Sequence, residues 1–385
     1  MIKRITLLVL MLSVVVFGQP KRPGAVFLTI WPGSRPTALG GCFTAISDDA
    51  SAAYYNPGGL GYQQDAVNFS LMHVNWLPGL AKDMYYEYLA VAAPFKGIGT
   101  FAFNGIYLTT GETVIKKSDA TLIGSYNTFD FALGLSYGRK LNEKVALGGG
   151  LKLIYSYLIP EWIMKEKNLK GRGSALSWAM DAGVLYKPFD NVSLGLALQN
   201  IGSPMSFSSK ADADPLPLTL RAGFSYKPLS IMSKDPTKKE QYEIVGLKIT
   251  GDIAKILVGM FAIDPPEVDS LSFFQEFGYE VANTPRGVGF EVSIFKEILS
   301  LRLGYFYDKA GARGGVILQD KTGIKLTHLD IYNGIFHPGD RSLKGIGLTY
   351  GAGIKYGGFQ LDIGIDEKIY DFTTQNRKVS ISYTF

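Results

Sequence analysis

The chain has 385 residues and a formal net charge of only +5 at pH 7, with 45 glycines, 22 tyrosines and 23 phenylalanines. Its lysines and arginines are scattered, which excludes the charge runs of a nucleic-acid-binding protein. The single cysteine, Cys42, excludes an intramolecular disulfide. Many glycines and aromatic residues with few charges indicate a β-rich protein whose surface lies partly outside water.

The N-terminus has the pattern of a secretory signal peptide. Lys3 and Arg4 precede an apolar run over residues 5–17, and Gly18 supplies a small residue at the cleavage site. Because a membrane-spanning helix needs about 20 apolar residues, this run is too short to stay as an anchor. We therefore predict a cleaved signal peptide over residues 1–18 and an exported protein.

Residues 19–65 follow and are rich in small side chains. Gly40 and Gly41 lack the preceding strand and the following lysine that a phosphate-binding loop requires. Cys42 lies too far beyond the apolar run to be a lipid-attachment site, so a small buried residue is expected there. A compact segment of this kind, placed before the first strand, can fold into the lumen of a barrel as a plug.

The acidic pair Asp48 and Asp49 is too small a ligand set for Ca²⁺, which takes about six to eight oxygens. We expect Ser47 to cap a short helix over residues 50–55, with the two acids near its positive end. Asn56 should end that helix, because a proline follows it. The residues expected to form the plug motif are Gly40, Gly41, Asp48, Asp49, Asn56, Pro57 and Gly58.

From residue 66 onward apolar side chains recur at every second position, most clearly over residues 346–366 and 379–385. A period of two is that of a β-strand with one apolar and one polar face. The polar faces are rich in glycine, serine and threonine, and aromatics cluster at strand ends, which favours a membrane barrel over a soluble sandwich. The predicted strands are 67–76, 84–94, 98–108, 128–139, 143–156, 175–187, 191–199, 217–228, 242–255, 286–296, 298–309, 344–356, 358–366 and 377–385.

The connections between these strands alternate between short and long. This is typical of an up-and-down outer-membrane barrel, with short periplasmic turns and long outer loops. Residues 229–241 are an exception, since they make a long connection on the periplasmic side. The fold prediction is an all-β, antiparallel transmembrane barrel of about 14 strands over residues 66–385, with a plug segment over residues 19–65 in its lumen.

The chain ends inside the last predicted strand, on Tyr383 and Phe385. A terminal aromatic residue on an alternating strand is typical of outer-membrane proteins, where the insertion machinery reads it. We therefore predict that these two residues form an assembly signal, rather than an ordinary edge strand that happens to end in phenylalanine.

No enzyme is predicted from the titratable residues. His73, His328 and His337 are scattered, with no partner at the spacing of a metal site or a catalytic triad. We predict no catalytic residues, no metal and no cofactor. Four acids on predicted inner faces are expected to be ordinary solvated carboxylates of a barrel lumen: Asp130, Asp181, Asp362 and Asp366.

The N-terminal segment resembles the PorV/PorQ family of type IX secretion system outer-membrane proteins, a branch of the FadL-like barrels. The resemblance lies in residues 33–41, 43–52 and 55–60, with further matches at 198–202, 215–217, 301–305 and 351–356. It implies a barrel with fourteen strands, with the N-terminal segment in the lumen. It also implies a carrier that binds the C-terminal signal domain of secreted clients and delivers them for surface attachment.

The partners implied by this resemblance are secreted client proteins and the proteins of the translocon and of surface attachment, with outer-membrane lipid around the barrel. Long outer loops on a rigid barrel suit such binding. The candidate loops are 159–174 and 310–343. Their candidate residues are Trp162, Lys165, Lys167, Lys170, Arg172, Arg313, Lys321, Lys325 and Phe336.

Two other functions remain open. Asn56-Pro57 also resembles the plug motif of FadL-like channels for hydrophobic small molecules, and a structural barrel without a ligand is a third possibility. A channel should contain an apolar pocket, reached from outside, between plug and wall. A carrier should instead show polar contacts in the lumen and apolar patches on its outer loops.

Overall fold

The computed structural model describes residues 23–78, 82–116, 121–168, 170–208, 213–234, 241–258, 281, 284–308, 346–366 and 376–385. The predicted signal peptide lies outside these residues. Fourteen strands are present in the described part of the chain. They are β1 (Asn68–Asn75), β2 (Tyr85–Phe95), β3 (Gly99–Lys116), β4 (Leu122–Lys140), β5 (Val145–Tyr157), β6 (Ser174–Phe189), β7 (Val192–Gly202), β8 (Thr219–Lys234), β9 (Gln241–Ile256), β10 (Arg286–Ile294), β11 (Leu299–Tyr307), β12 (Ile346–Tyr356), β13 (Phe359–Asp366) and β14 (Asn376–Thr384).

The sheet closes on itself, which confirms the predicted barrel. Each strand pairs antiparallel with its neighbours in sequence, and β1 pairs with β14, with Phe69 opposite Tyr383. Closure satisfies the backbone hydrogen-bonding groups of the wall without a free edge, which a protein in lipid requires. The chain enters and leaves the wall at the same end of the barrel, which is the periplasmic end in a barrel of this kind.

The wall has an apolar outer face and a crowded inner face. On β4, Leu133 and Leu135 are 42% and 66% exposed, whereas the intervening Ala132 and Ser136 are buried. The same alternation follows along the other strands, so the exposed leucines form a band that faces acyl chains. Aromatic residues border this band at the periplasmic end, where Phe101 packs on Tyr137 with ring centroids 4.9 Å apart.

Two hairpins are longer than the sequence predicts. β3 continues past residue 108 to Lys116, and β4 begins at Leu122 instead of residue 128. In the region predicted as a loop over residues 229–241, β8 continues to Lys234 and β9 begins at Gln241. Register shifts occur in both hairpins, at Thr109/Gly111 and at Tyr226/Leu229. Because a bulge moves side chains to the other face, it interrupts the period of two from which the strand ends were predicted.

The short turns use backbone conformations that only some residues adopt easily. The turn between β12 and β13 is Gly357-Gly358, with φ of 56° and 88°, as a two-residue hairpin turn requires. Between β10 and β11 the non-glycine residues Phe295, Lys296 and Glu297 take φ of 50°, 59° and 65°.

The helices are short. They are α1 (Ser34–Ala38), α2 (Ala52–Tyr55) and α3 (Glu161–Glu166), with two 3₁₀ turns at Val26–Thr29 and Pro57–Tyr62. No helix among the described residues has both the length and the apolar character needed to cross a membrane.

Candidate functional site

The N-terminal segment, defined here as residues 23–67, lies inside the barrel. α1 packs against β11 to β14, and the 3₁₀ turn Pro57–Tyr62 packs against β3 to β7. Leu39, Phe43, Tyr55 and Leu60 are fully buried between segment and wall. The segment therefore touches opposite sides of the lumen. That it closes the lumen to solutes remains a prediction.

The predicted helix start within this segment was wrong. α2 begins at Ala52, with Ser51 at its N-cap, rather than at Ala50 behind Ser47. The carboxylate of Asp49 accepts a hydrogen bond from the Ser51 backbone N–H at 2.7 Å, which closes a local turn of the kind that aspartate favours. That turn takes the place of the first helical turn.

Asn56 follows the last residue of α2 and fixes the segment against β6. Its side-chain amide donates to the carbonyl oxygens of Thr44 and Val184, at 2.8 and 2.9 Å. Its Oδ1 accepts from the Gly58 N–H at 3.0 Å. Because Asn56 is fully buried, each of these polar groups needs such a partner. Asn56 thus joins two parts of the segment to the wall.

Glycines on the inner face of the wall mark where the segment lies. At nine of them a Cβ atom would come within 3.0 Å of an atom of the segment. Only glycine allows the backbone of the segment to approach so closely. These residues are Gly138, Gly148, Gly183, Gly195, Gly287, Gly289, Gly304, Gly351 and Gly364.

A network of ion pairs joins the segment to β9 and β10. The Arg35 guanidinium donates to Glu291 through Nε and Nη2, both at 2.8 Å, and to Asp48 through Nη1 at 2.6 Å. Lys248 lies 2.9 Å from Asp48 and 3.3 Å from Glu291. Asp49 completes the group, 3.2 Å from Arg35 Nη1. Such forked contacts fix geometry as well as charge.

The network continues into the wall through Arg302 on β11. Its Nε donates to Glu291 Oε2 at 2.7 Å, and its Nη1 donates to Asp362 on β13. Arg302 and Glu291 are nearly fully buried. Since removing one partner of a buried pair leaves an uncompensated charge, the positions of β10, β11 and the segment depend on one another.

Two aspartates of the segment are shifted in opposite directions. The Arg35 guanidinium and the Lys248 ammonium group hold the pKa of Asp48 well below its usual range, although partial desolvation of the carboxylate opposes them. Burial raises the pKa of Asp49, and although Arg35 opposes this rise, the neighbouring Asp48 charge adds to it. The stabilising contribution of Asp48 is therefore present at neutral pH and is lost only as pH falls through its lowered pKa.

Lys378 on β14 is 1% exposed and holds a different part of the segment. Its ammonium group donates to the Trp31 carbonyl oxygen at 2.7 Å and to the Thr37 hydroxyl at 2.9 Å, and lies 3.6 Å from Asp366. On another part of the wall, Asp252 Oδ2 on β9 accepts from the backbone N–H groups of Phe43 and Thr44, each at 2.9 Å. Polar contacts therefore hold the segment from several sides.

Three of the four inner-face acids are not the solvated carboxylates that we expected. Asp181, Asp362 and Asp366 are at most 6% exposed. Asp181 lies 3.1 Å from Lys152, and the other two lie beside Arg302 and Lys378. The expectation failed because each of these carboxylates is buried beside a cation of the wall. Asp130 is only partly buried.

One side of the interior is apolar instead. Met72, Tyr86 and Tyr88 on β1 and β2 point inward and are fully buried, and they join one cluster with Phe27 and Tyr54 of the segment. The Tyr54 and Tyr88 rings lie 6.4 Å apart, edge to face. Apolar burial on this side and ion pairs on the other together position the segment.

A cavity of about 50 Å³ lies between the segment and the outer ends of β8 to β11. Leu28 and Trp31 of the segment and Ile256 and Phe306 of the wall form its apolar side, and the Trp31 and Phe306 rings meet edge to face at 5.2 Å. Its polar side contains Gln199, Thr219, Arg221, Asp252, Arg286 and Asp308.

A second cavity of about 40 Å³ lies at the periplasmic end, between the segment and β12, β13, β14 and β1. Its lining is polar and includes Ser34, Ser70, Ser380 and Ser382. We call the 50 Å³ cavity the outer cavity and the 40 Å³ cavity the periplasmic cavity. Trp31 lines the outer cavity and Ser34 lines the periplasmic cavity. The contacts of Lys378 with Trp31 and Thr37 therefore lie between the two.

The predicted outer-loop residues are only partly described. Trp162 and Lys165 lie on α3, where Trp162 is 45% exposed and Lys165 pairs with Glu161 at 2.9 Å. Lys167 is the C-cap residue that follows α3, and Lys170 and Arg172 lie beyond it. The structure does not bring these residues to either cavity. Arg313, Lys321, Lys325 and Phe336 lie outside the described residues.

The plug-motif and assembly-signal residues are all described. Gly40 and Gly41 take φ of 68° and 76°, and Gly40 donates its N–H to the Thr349 hydroxyl at 3.0 Å. Pro57 and Gly58 pack on β5 and β6. Phe385 is 75% exposed and packs edge to face on Tyr383 at 4.6 Å. Their roles in closure and in assembly remain predictions.

The sequence analysis did not predict a role for four residues of the ion-pair network. Arg35 lies within residues 33–41, which carry the family resemblance, but it has no predicted role. Lys248, Glu291 and Arg302 each occur singly on a strand. The available signal was a charged residue at an inward position of an alternating strand, which says that a partner is needed but not which one.

No protein-family profile matches the chain, and no curated protein matches it either. Among solved structures, a deltaS2 mutant of the TodX monoaromatic hydrocarbon channel superposes with a TM-score of 0.51 at 11% identity, covering 91% of this chain and 98% of that one. The two proteins share the fold, a closed antiparallel β-barrel.

Two further structures align over similar lengths with lower scores. The Pseudomonas putida toluene transporter TodX gives a TM-score of 0.48 at 12% identity, covering 91% of this chain and 96% of that one. A Pseudomonas aeruginosa FadL homologue gives 0.43 at 11% identity, covering 92% and 98%. At these identities the likeness concerns the fold alone, and the narrower PorV/PorQ assignment remains a prediction.

The close approach of segment and wall is tested at Gly148. In Gly148→Ala the new Cβ overlaps the Pro57 carbonyl oxygen, so we expect a loss of about 1–3 kcal/mol in the free energy that holds the segment, as overpacking typically costs. The measurements are leakage of a small solute from proteoliposomes and thermal stability. Gly149→Ala is the matched control, because its Cβ meets only the Asp181 carbonyl oxygen, at 3.4 Å. Equal behaviour of the two variants would contradict the packing described.

The ion-pair network is tested with Asp48→Asn. This variant removes one partner of Arg35 and of Lys248, so we expect leakage to increase, while Asp190→Asn, an exposed turn residue, should have no effect. Because the pKa of Asp48 is lowered, the difference from the unmodified protein should stay constant between about pH 8 and about pH 5, above the ordinary range for aspartate. A difference that disappeared within that interval would show that Asp48 titrates there and would contradict the network.

Proposed function

We propose that the protein is a non-catalytic outer-membrane channel for hydrophobic small molecules. The observation that carries the proposal is the outer cavity, which lies between the segment and the wall and has an apolar side formed by Leu28, Trp31, Ile256 and Phe306. Apolar cavities with a few polar groups are the usual form of a small-molecule site. The FadL-like fold supports the proposal, since a solved barrel of that fold is described as a monoaromatic hydrocarbon channel.

The size of the cavity defines what passage requires. At about 50 Å³ it is smaller than the roughly 150 Å³ engineered cavity that binds benzene. A ligand with one aromatic ring therefore enters only if the segment yields. Below the cavity, the path to the periplasm meets the contacts of Lys378 with Trp31 and Thr37, so passage requires the segment to part from β14.

The carrier function implied by the PorV/PorQ resemblance is the second candidate. Polar contacts in the lumen are the feature expected of a carrier, and the contacts of Arg35, Asp252 and Lys378 are of that kind. The outer loops that would bind clients are described only in part. Recovery of secreted proteins that share one C-terminal domain, in a pull-down with the purified chain, would favour the carrier over the channel.

The channel is tested by filling the cavity. Ala254 on β9 lines it, so in Ala254→Trp we expect uptake of toluene into proteoliposomes to fall toward the rate of protein-free vesicles. Ile253→Trp is the matched control, because Ile253 is 44% exposed on the outer face. Uptake by Ala254→Trp equal to that of the control would contradict passage through this cavity, and no uptake by the unmodified protein would contradict the channel itself.

A further inference from the structure

The β8–β9 hairpin extends past its neighbour at the periplasmic end. β7 begins at Val192, opposite Tyr226, and the last backbone bond between β7 and β8 in the described part of the chain runs from the Lys227 N–H to the Asn191 carbonyl, at 2.9 Å. β8 nevertheless continues to Lys234. Residues 228–234 therefore have strand β9 on one side and no described strand on the other.

The other strand of the hairpin is covered. The turn between β10 and β11 donates its Phe295 N–H to the Ile244 carbonyl at 2.7 Å and its Lys296 N–H to the Glu243 carbonyl at 2.8 Å. The two sides of the hairpin thus differ, and the open edge belongs to β8 alone. The other short connections between strands at this end are tight turns, so this hairpin is the projecting element among the described residues there.

The hairpin is braced rather than loose. Glu243 on β9 lies 2.6 Å from Lys227, accepts a hydrogen bond from Ser293 on β10 at 3.0 Å and accepts another from Ser230. These bonds tie both strands of the hairpin to the wall. The open edge is therefore presented in a fixed geometry, which reduces the cost of ordering it on binding.

The edge carries apolar side chains that no element in the described part of the chain covers. Leu229 and Ile231 are 43% and 47% exposed. Natural barrels and sheets usually protect an edge with proline, lysine or a bulge. Here Pro228 and Lys234 stand at the two ends of the edge, and register shifts against β9 lie at Tyr226/Leu229 and at Ile231/Met232, so residues 229–231 are the regular and unprotected part between them.

We propose that this edge binds an extended segment of a periplasmic protein, which adds one strand to β8. The free backbone N–H and C=O groups of a strand edge form hydrogen bonds with an added strand, and the alternate side chains of that strand then supply specificity. Lipid does not fit, because unpaired backbone groups do not face acyl chains. A second copy in the same membrane does not fit either, since strands tilted by about 35–45° and related by an axis along the membrane normal cross instead of pairing.

The charge of the edge adds to the description of the partner. Lys234 is exposed at the end of the edge and makes no ion pair among the described residues, whereas Lys227 is already paired with Glu243. The partner strand that binds here therefore carries a carboxylate opposite Lys234 and apolar side chains at alternate positions opposite Leu229 and Ile231.

Site-specific photo-crosslinking in intact cells tests the proposal. A benzophenone amino acid replaces Leu229 or Ile231 at the open edge, or Ile244 on the covered strand as the matched control. We expect protein adducts from the two edge sites and none from Ile244. The crosslinked positions, mapped by mass spectrometry, should lie two residues apart in one partner segment. Lys234→Glu should lower the yield of both adducts.

Several results would overturn the proposal: adducts with lipid only, adducts with a second copy of this chain, crosslinks without the two-residue spacing, equal adducts at Ile244, or a yield unchanged by Lys234→Glu. The heat-dependent gel mobility of the barrel verifies that each variant is folded. Met232, which is 49% exposed, is the alternative probe site if one of the edge variants does not assemble.

Discussion

The close approach of the N-terminal segment to glycines of the barrel wall is the contact on which the interior depends. An eight-stranded barrel is filled by its own side chains, whereas more strands leave a wider lumen. With fourteen strands the space is taken up by the segment, whose backbone reaches the wall at Gly148, Gly195 and Gly304, among others. A side chain at these positions would push the segment away. The buried ion pairs and the two separate cavities follow from this contact.

Burial of charged side chains between the segment and the wall then decides the electrostatics. The charges of Arg35, Glu291 and Arg302 are little exposed, and buried charges need partners of opposite sign. Each part of the network thus requires the others, and Lys378 plays the same role beside β14. Apolar contacts of Tyr54 and Phe27 with β1 and β2 complete the enclosure. Polar and apolar contacts together therefore hold the segment from several sides of the barrel.

The fold could be predicted from sequence because strand alternation is a local signal. Each strand shows its period of two within about ten residues, and tight turns such as Gly357-Gly358 punctuate it. The hairpins β3–β4 and β8–β9 were underestimated, since bulges interrupt the period at Gly111 and near Leu229. The site was largely out of reach. Arg35 and Glu291 are 256 positions apart, and only the closed barrel brings them together.

The most direct test of the account is the conductance of the barrel with and without its segment. We predict that a chain lacking residues 20–60 still assembles, as shown by its heat-dependent gel mobility, and forms large, constantly open pores in planar bilayers. The full chain should show little conductance to small ions under the same conditions. Failure of the shortened chain to assemble, or equal conductance of the two proteins, would contradict the claim that the segment closes the lumen.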